Sequence, residues 1–312
     1  MTVKTAEFVS PLHPDKICDF IADSILDAYL EGDKNSRVAT EVMGGHKLIT
    51  INGEVTSNAS PNLEKIVKGI VGEDYEVIIK IVKQSPEIAA GVDTGGAGDQ
   101  GIMKGYATSA TPEMLPLEYT LARNLCQKVF EVYPYDGKTQ VTVEDGVVTT
   151  VVVSFQNTKS DKLLELVKTI IDAKEYLINP AGEWVQGGFD ADTGLSGRKL
   201  IIDNYGPEIP IGGGSFSGKD YTKVDRSGAY MARKIATEIL RARNAKEVFV
   251  KLAYAIGKAD PVMGVAVVDG VEEKLTNYDL SPKGIREYLK LDTVKYADTC
   301  KWGHFGHGFP WS

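Results

Sequence analysis

Ile17, Ile21, Ile25 and Tyr29 recur every four residues, predicting an amphipathic helix that starts at Pro14 and stops near Gly32. Two strand patterns follow at 37–43 and 47–56, parted by Gly44-Gly45. A second helical pattern at 62–71 carries Leu63, Ile66, Val67 and Ile70, and a strand pattern covers 76–82. The same order of helix, strand, strand, helix and strand returns at 117–132, 138–143, 147–155, 162–173 and 176–178. Asp145-Gly146 supplies a hairpin turn there. A third series places a helix at 225–243, strands at 247–256 and 263–268, and a helix at 282–291, with no clear final strand. Hairpins with helices between them predict an α+β protein of three similar units, each a sheet covered by helices on one face. The expected domains are 1–110, 111–186 and 187–312. One-sided sheets must bury their other face, against each other or against another subunit.

Composition narrows this picture. The 312 residues are 43% hydrophobic and 25% charged, as expected of an ordinary globular protein with a sizeable core. A net charge of -8 argues against nucleic acid as the main ligand, so any polyanion must meet a local basic pocket. Cys18, Cys126 and Cys300 are too few and too scattered for a disulfide framework or a zinc site. The first two lie in helical patterns and are expected to be core thiols. Met1-Thr2-Val3-Lys4 shows no signal-peptide pattern, and no apolar run reaches membrane-spanning length. Cytoplasm is the expected compartment, with no membrane partner.

Candidate chemistry concentrates in Gly212-Gly213-Gly214-Ser215-Phe216-Ser217-Gly218-Lys219-Asp220, followed by Lys223, Asp225 and Arg226. Glycines let backbone N–H groups approach anionic oxygens, Lys219 adds a point charge, and a carboxylate suits magnesium. The run nearly fits a P-loop, but Asp220 stands where that motif needs a Ser or Thr hydroxyl. Other segments are individually ambiguous. His13-Pro14-Asp15-Lys16 opens a helix, where Asp15 either complements the helix end or joins a phosphate and magnesium site. Gly91-Val92-Asp93-Thr94-Gly95 and Gly96-Ala97-Gly98-Asp99-Gln100-Gly101 suit a linker or a mobile lid. Arg198-Lys199 leads into the apolar Leu200-Ile201-Ile202, as a solvated pair or as cations at a strand end. Glu41 and Glu54 suit an alternating solvent face, and Trp184 suits either core or base stacking.

Together these segments resemble the methionine adenosyltransferase (S-adenosylmethionine synthetase) family over nearly the whole chain. The Gly-Ala-Gly-Asp-Gln-Gly run at 96–101 and the run at 212–220 are the most specific. Phe8-Val9-Ser10-Pro11-Leu12-His13-Pro14-Asp15-Lys16, Lys83-Gln84-Ser85-Pro86 and Gly303-His304-Phe305-Gly306 match in the right order. The resemblance implies three similar domains in pseudo-threefold arrangement. It implies that L-methionine sulfur attacks the ribose C5′ of ATP, and that the tripolyphosphate released is cut to pyrophosphate and phosphate. It further implies that His13, Lys138, Arg198, Lys199 and Lys219 hold the phosphates, that Asp15 and Asp225 bind Mg2+, and that Glu41 binds K+. Glu54, Gln84, Asp192 and Lys223 match the methionine site, with Asp192 also near the nucleoside. Asp99 lies in the active-site loop, Asp136 and Ser215 match nucleotide contacts, and Trp184 takes the place of the aromatic stacked on adenine. A homodimer or a dimer of dimers is expected.

Three departures stand out. Pro11-Leu12 replace the family's usual Glu-Gly, Glu183 stands where a basic residue is common, and the loop between Gln84 and Gly96 is several residues short. They leave a second reading open: a catalytically weak relative that binds nucleotide or a partner subunit. A P-loop hydrolase is disfavoured by Asp220.

Overall fold

The structure is a computed structural model that describes residues 2–84 and 95–312. Among these residues the architecture is three four-stranded sheets, each covered by helices. The first sheet contains β2 (Arg37–Gly45), β3 (Leu48–Thr56), β4 (Glu76–Val82) and β9 (Gly194–Leu195) in the order β4-β3-β2-β9. The second has the order β1-β6-β7-β8, from β1 (Val3–Val9), β6 (Gly137–Glu144), β7 (Val147–Phe155) and β8 (Glu175–Ile178). The third has the order β12-β11-β10-β5, from β5 (Gly101–Thr108), β10 (Glu247–Tyr254), β11 (Met263–Val268) and β12 (Val271–Lys274).

Each sheet therefore takes one strand from a distant part of the chain. β1 pairs antiparallel with β6, with Ala6 opposite Val141. β5 pairs antiparallel with β10, with Gly105 opposite Val250. β9 pairs with β2, with Gly194 opposite Gly44. These exchanges lace the three units together. Gly105 is required at its crossing, because a Cβ there would lie 2.0 Å from the Ala232 carbonyl carbon.

The helices among the described residues are α1 (Pro14–Gly32), α2 (Leu63–Val71), α3 (Leu117–Val132), α4 (Ser160–Ile170), α5 (Leu200–Asn204), α6 (Val224–Arg243) and α7 (Pro282–Leu289). α1 follows its predicted stripe: Cys18, Ile21, Ala22, Ile25 and Leu26 are fully buried in the core with Val38, Val42, Ile49 and Ile51 of β2 and β3. On β2 the alternation buries Val38, Thr40 and Val42 and leaves Glu41 and Met43 exposed. Cys18 and Cys126 are buried free thiols, as expected, and Cys300 is a third. No helix among the described residues is long and apolar enough to cross a membrane.

Two expectations need correction. Leu200-Ile201-Ile202 forms a short helix rather than a strand, with the Asp203 N–H donating to the Lys199 carbonyl and Ile202 turned inward. The third unit ends its sheet with a hairpin, β11 to β12, through Asp269 and Gly270 at φ 48 and 87, so its element order departs from the other two. Gly91 to Thr94 of the expected lid, together with Ser85 and Pro86, lie outside the described residues. The remainder of that segment is anchored: the Ala97 N–H donates to the Lys258 carbonyl and the Gly257 N–H to the Ala97 carbonyl, both at 2.8 Å.

Candidate active site

α1 organises the site through aspartates at every fourth position. Asp15 accepts the Leu195 N–H at 2.9 Å. Asp19 accepts the Gly197 N–H at 2.8 Å, and Asp23 accepts the Gly218 N–H at 2.9 Å. Asp27 accepts the N–H groups of Tyr296 and Ala297 at 2.8 and 2.9 Å. Four residues advance a helix by just over one turn, so all four carboxylates share one side. Hydrogen bonds to a charged group are each worth on the order of 1.5–3 kcal/mol. The two segments that carry Arg198-Lys199 and the glycine-rich run are thus docked side by side along one rigid helix.

The first cluster gathers at the N-terminus of α1. His13 caps the helix, its Nδ1 accepting the Asp15 N–H at 3.2 Å. Burial, then the nearby Lys199 and Lys138 ammonium groups, lower its pKa to about 3. The imidazole is therefore neutral, with Nδ1 an acceptor and the proton on Nε2, which makes Nε2 a hydrogen-bond donor. The Asp15 carboxylate takes the Lys199 ammonium at 2.5 Å and lies 3.6 Å from Arg198 Nε. Burial opposes its ionisation, but the Lys199 hydrogen bond and the Leu195 N–H outweigh burial and hold the carboxyl below the usual aspartate value. Asp192 acts on His13 with opposite sign to the lysines. Asp136 accepts the Gly188 N–H at 2.9 Å and fixes the turn that leads to Asp192.

The second cluster is built by the glycine-rich run. Gly214 lets the chain pass against Asp225: a Cβ there would lie 1.9 Å from the carboxylate oxygen. Gly218, at φ 79, would place a Cβ 2.1 Å from the Thr40 carbonyl oxygen. Lys219 Nζ donates to Asp225 Oδ2 at 3.2 Å, and Asp225 opens α6. Asp220 is fully buried and accepts the N–H groups of Val38 and Thr222 at 2.7 and 2.8 Å, with Lys223 Nζ at 3.4 Å. It is a fastener between the run and β2. The run joins no strand directly to a helix, so the P-loop reading is excluded on geometry as well as on residue type.

Glu41 lies between the clusters. Its carboxylate accepts the Ser196 hydroxyl at 2.6 Å, and that hydroxyl oxygen accepts the Val42 N–H at 3.0 Å. Partial burial of the carboxyl raises its pKa, opposed by Ser196 and Lys219. Glu54 is exposed on β3, opposite Ala39 and on the same face as Glu41. Ser215 Oγ is buried without a hydrogen-bond partner among the described residues and lies close against Gly197, in the seam between the clusters. Among the described residues, Gln84, Asp99 and Trp184 have no side-chain hydrogen bond or ion pair to either cluster. Trp184 is half-buried in an irregular segment, where its carbonyl accepts the Asn157 N–H.

No group of three or more acidic, histidine or cysteine side chains suited to a metal ion occurs among the described residues. Isolated carboxylates paired with lysines fit magnesium, which commonly takes one or two protein carboxylates plus substrate phosphates. Asp15 and Asp225 meet that description. The expectations above omitted the buried aspartates Asp19 and Asp23, the Ser196 bridge and the fastening role of Asp220. The signal for the first was present: aspartate recurs every fourth residue along the buried side of a predicted helix. Glu183 proves to be a local fastener, accepting the Ser160 N–H at the start of α4 and the Lys159 ammonium.

The chain matches the three S-adenosylmethionine synthetase domain families in order: N-terminal over residues 1–86, central over 94–184 and C-terminal over 186–312. It is 41% identical to the S-adenosylmethionine synthase of Thermus thermophilus, covering 98% of this chain and 94% of that one. It is 40% identical to the synthase of Deinococcus deserti, over 98% and 95%. A solved S-adenosylmethionine synthetase from Campylobacter jejuni superposes with a TM-score of 0.89 at 34% identity, over 100% of this chain and 96% of that one. The chain belongs to the S-adenosylmethionine synthetase family and is a methionine adenosyltransferase.

Proposed function

We propose that the two clusters bind the triphosphate of ATP and that the protein makes S-adenosyl-L-methionine by attack of methionine sulfur on the ribose C5′. The tripolyphosphate is then hydrolysed to pyrophosphate and phosphate. The observation that carries this reading is the docking of Lys199 with Asp15 and of Lys219 with Asp225 on neighbouring segments held by one helix. A thioether has no proton to lose on the sulfur, so the reaction needs no general base. The barrier lies in alignment and in charge growing on the leaving group, which fixed cations and N–H donors oppose.

Each side chain then has a defined task. Arg198, Lys199, Lys219 and Lys138 neutralise phosphate oxygens, and neutral His13 donates from Nε2. Ser215, buried and without a hydrogen-bond partner among the described residues, offers a further contact to the nucleotide, and Asp136 offers another. Asp15 and Asp225 would hold Mg2+, whose charge would screen the phosphates, and Glu41 would hold K+. Glu54, Gln84, Asp192 and Lys223 orient methionine, Trp184 stacks on adenine, and Asp99 belongs to the loop that closes the site.

The open face of the first sheet exposes Met43, Ile78 and Val82 beside Glu41 and Glu54. A second copy covering that face, as a homodimer or a dimer of dimers, would exclude water there. The test is S-adenosylmethionine formation by the purified chain with ATP, methionine, Mg2+ and K+. Tight nucleotide binding without that product would favour the weak relative instead.

A further inference from the structure

A cavity of about 550 Å3 lies beside the site but includes none of the phosphate-binding residues. Leu12, Ile17, Phe20, Ile70, Phe130 and Phe189 line it. It reaches the buried Cys300, and the exposed Lys301 stands on its edge. Its size lies within the range of roughly 300–1,000 Å3 usual for small-molecule sites, as does its mostly apolar and aromatic lining. Leu12 and Phe20 are 39% and 37% exposed, so the cavity is open to an entering molecule.

Charge decides the class of ligand. Among the described residues, two lysines line the cavity and no carboxylate does. The Lys16 ammonium is engaged by Asp19 and Asp203. Lys301 is left as the available charge, and burial keeps the Cys300 thiol protonated. An apolar, flat body suits the ring-lined interior, and one negative group suits Lys301.

We propose that this cavity binds a small aromatic anion, a carboxylate or sulfonate on a ring system, and that the ligand modulates the neighbouring site. Pro11 and Leu12 line the cavity and lead directly into His13, while Phe189 sits in the turn that leads to Asp192. Modulation rests on the functional reading given above; binding does not.

The test uses anilinonaphthalene sulfonate and its uncharged analogue N-phenylnaphthylamine as fluorescent probes of the full-length chain. A Cβ on Gly69, which lines the cavity, would meet nothing within 4 Å, so Gly69→Phe is expected to fold and obstruct it. The expected results are one saturable site per chain and a loss of roughly tenfold or more for both probes in Gly69→Phe. Lys301→Gln should weaken only the sulfonate, by roughly three- to fivefold. The sulfonate should shift the KM for ATP in the unmodified chain and not in Gly69→Phe. Binding indifferent to Gly69→Phe overturns the site, and equal effects of Lys301→Gln on both probes overturn its preference for anions. Binding without any change in KM overturns the coupling. A change of sedimentation in Gly69→Phe overturns the proposal in favour of a contact between copies. The probe titrations need no turnover, so they stand or fail apart from the catalytic assignment.

Discussion

Arg226 grips Asp23 with two parallel hydrogen bonds, Nη1 to Oδ1 at 2.6 Å and Nη2 to Oδ2 at 2.8 Å, in full burial. The same guanidinium donates to the carbonyls of Phe216 and Lys219 at 3.0 and 3.2 Å, to Thr299 Oγ1 at 2.9 Å, and lies over the Tyr296 ring. Asp23 in turn accepts the Gly218 N–H. One ion pair thus ties α1, the glycine-rich run and α6 together immediately beside Asp225 and Lys219.

Removing one partner leaves a buried charge uncompensated. Arg226→Met or Asp23→Leu alone should each cost roughly 3–5 kcal/mol, read as denaturant midpoints. The double change Asp23→Leu with Arg226→Met should recover much of that stability, because apolar replacement of a buried pair is often neutral or better. Turnover should stay depressed in the double variant, because the Gly218 N–H and the Phe216 and Lys219 carbonyls lose their holders. A double variant with normal kcat would show that the pair serves the core and not the site.

Lys219 and Arg198 face the proposed leaving group from the two clusters. Changing either to Ala should lower kcat by about 100-fold or more and alter the KM for methionine far less. Steady-state kinetics in both substrates separates the two effects. A variant impaired only in methionine KM would move that residue out of the phosphate site.

Asp225→Asn keeps the size of the side chain, and although that side chain is only 12% exposed, its amide oxygen can still accept from Lys219, the ion-pair partner. Its melting temperature should stay close to that of the parent while most turnover is lost, and raising the Mg2+ concentration should restore part of the rate. Full activity at the original Mg2+ level would contradict a role for this carboxylate at the metal.

His304 gives the protein an acid-sensitive core. Burial, then Arg226 and Lys16, push its pKa well below the usual 6.5, and its Nδ1 meets the Tyr230 hydroxyl at 2.9 Å. The folded state therefore excludes a proton that the unfolded chain accepts. The contribution is complete above the unfolded value and is lost as pH falls below it. The slope is ~1.4 kcal/mol per pH unit for one proton. His304→Gln should flatten the dependence of unfolding free energy on pH below about 6 by close to one proton. An unchanged slope would mean that the imidazole takes up its proton in the folded state as well.

Much of this was readable along the chain. The stripe of Ile17, Ile21, Ile25 and Tyr29 and the Asp145-Gly146 turn are local signals, and α1 and the β6–β7 hairpin follow them closely. β1, β5 and β9 were not readable, because their partners lie in other units and strand pairing at such separation leaves little trace in a single sequence. α5 stayed open between two readings, because a short apolar run fits a strand or a buried helical turn equally well. At the site, the glycines and cations announced themselves by clustering. The side chains that hold them did not: Asp19 and Asp23 are spread along a helix and recognise backbone N–H groups, which carry no sequence identity.

The claim that the phosphates leave as a unit from C5′ has one direct test, with ATP carrying 18O in the bridge between C5′ and the α-phosphorus. Attack of sulfur on carbon breaks the C5′–O bond, so all of the label should appear in the released phosphate products, alongside one S-adenosylmethionine, one pyrophosphate and one phosphate per turnover. Label retained on adenosine, AMP or ADP would mean that a P–O bond breaks instead, and would contradict the account of the two clusters as a cradle for a tripolyphosphate leaving group.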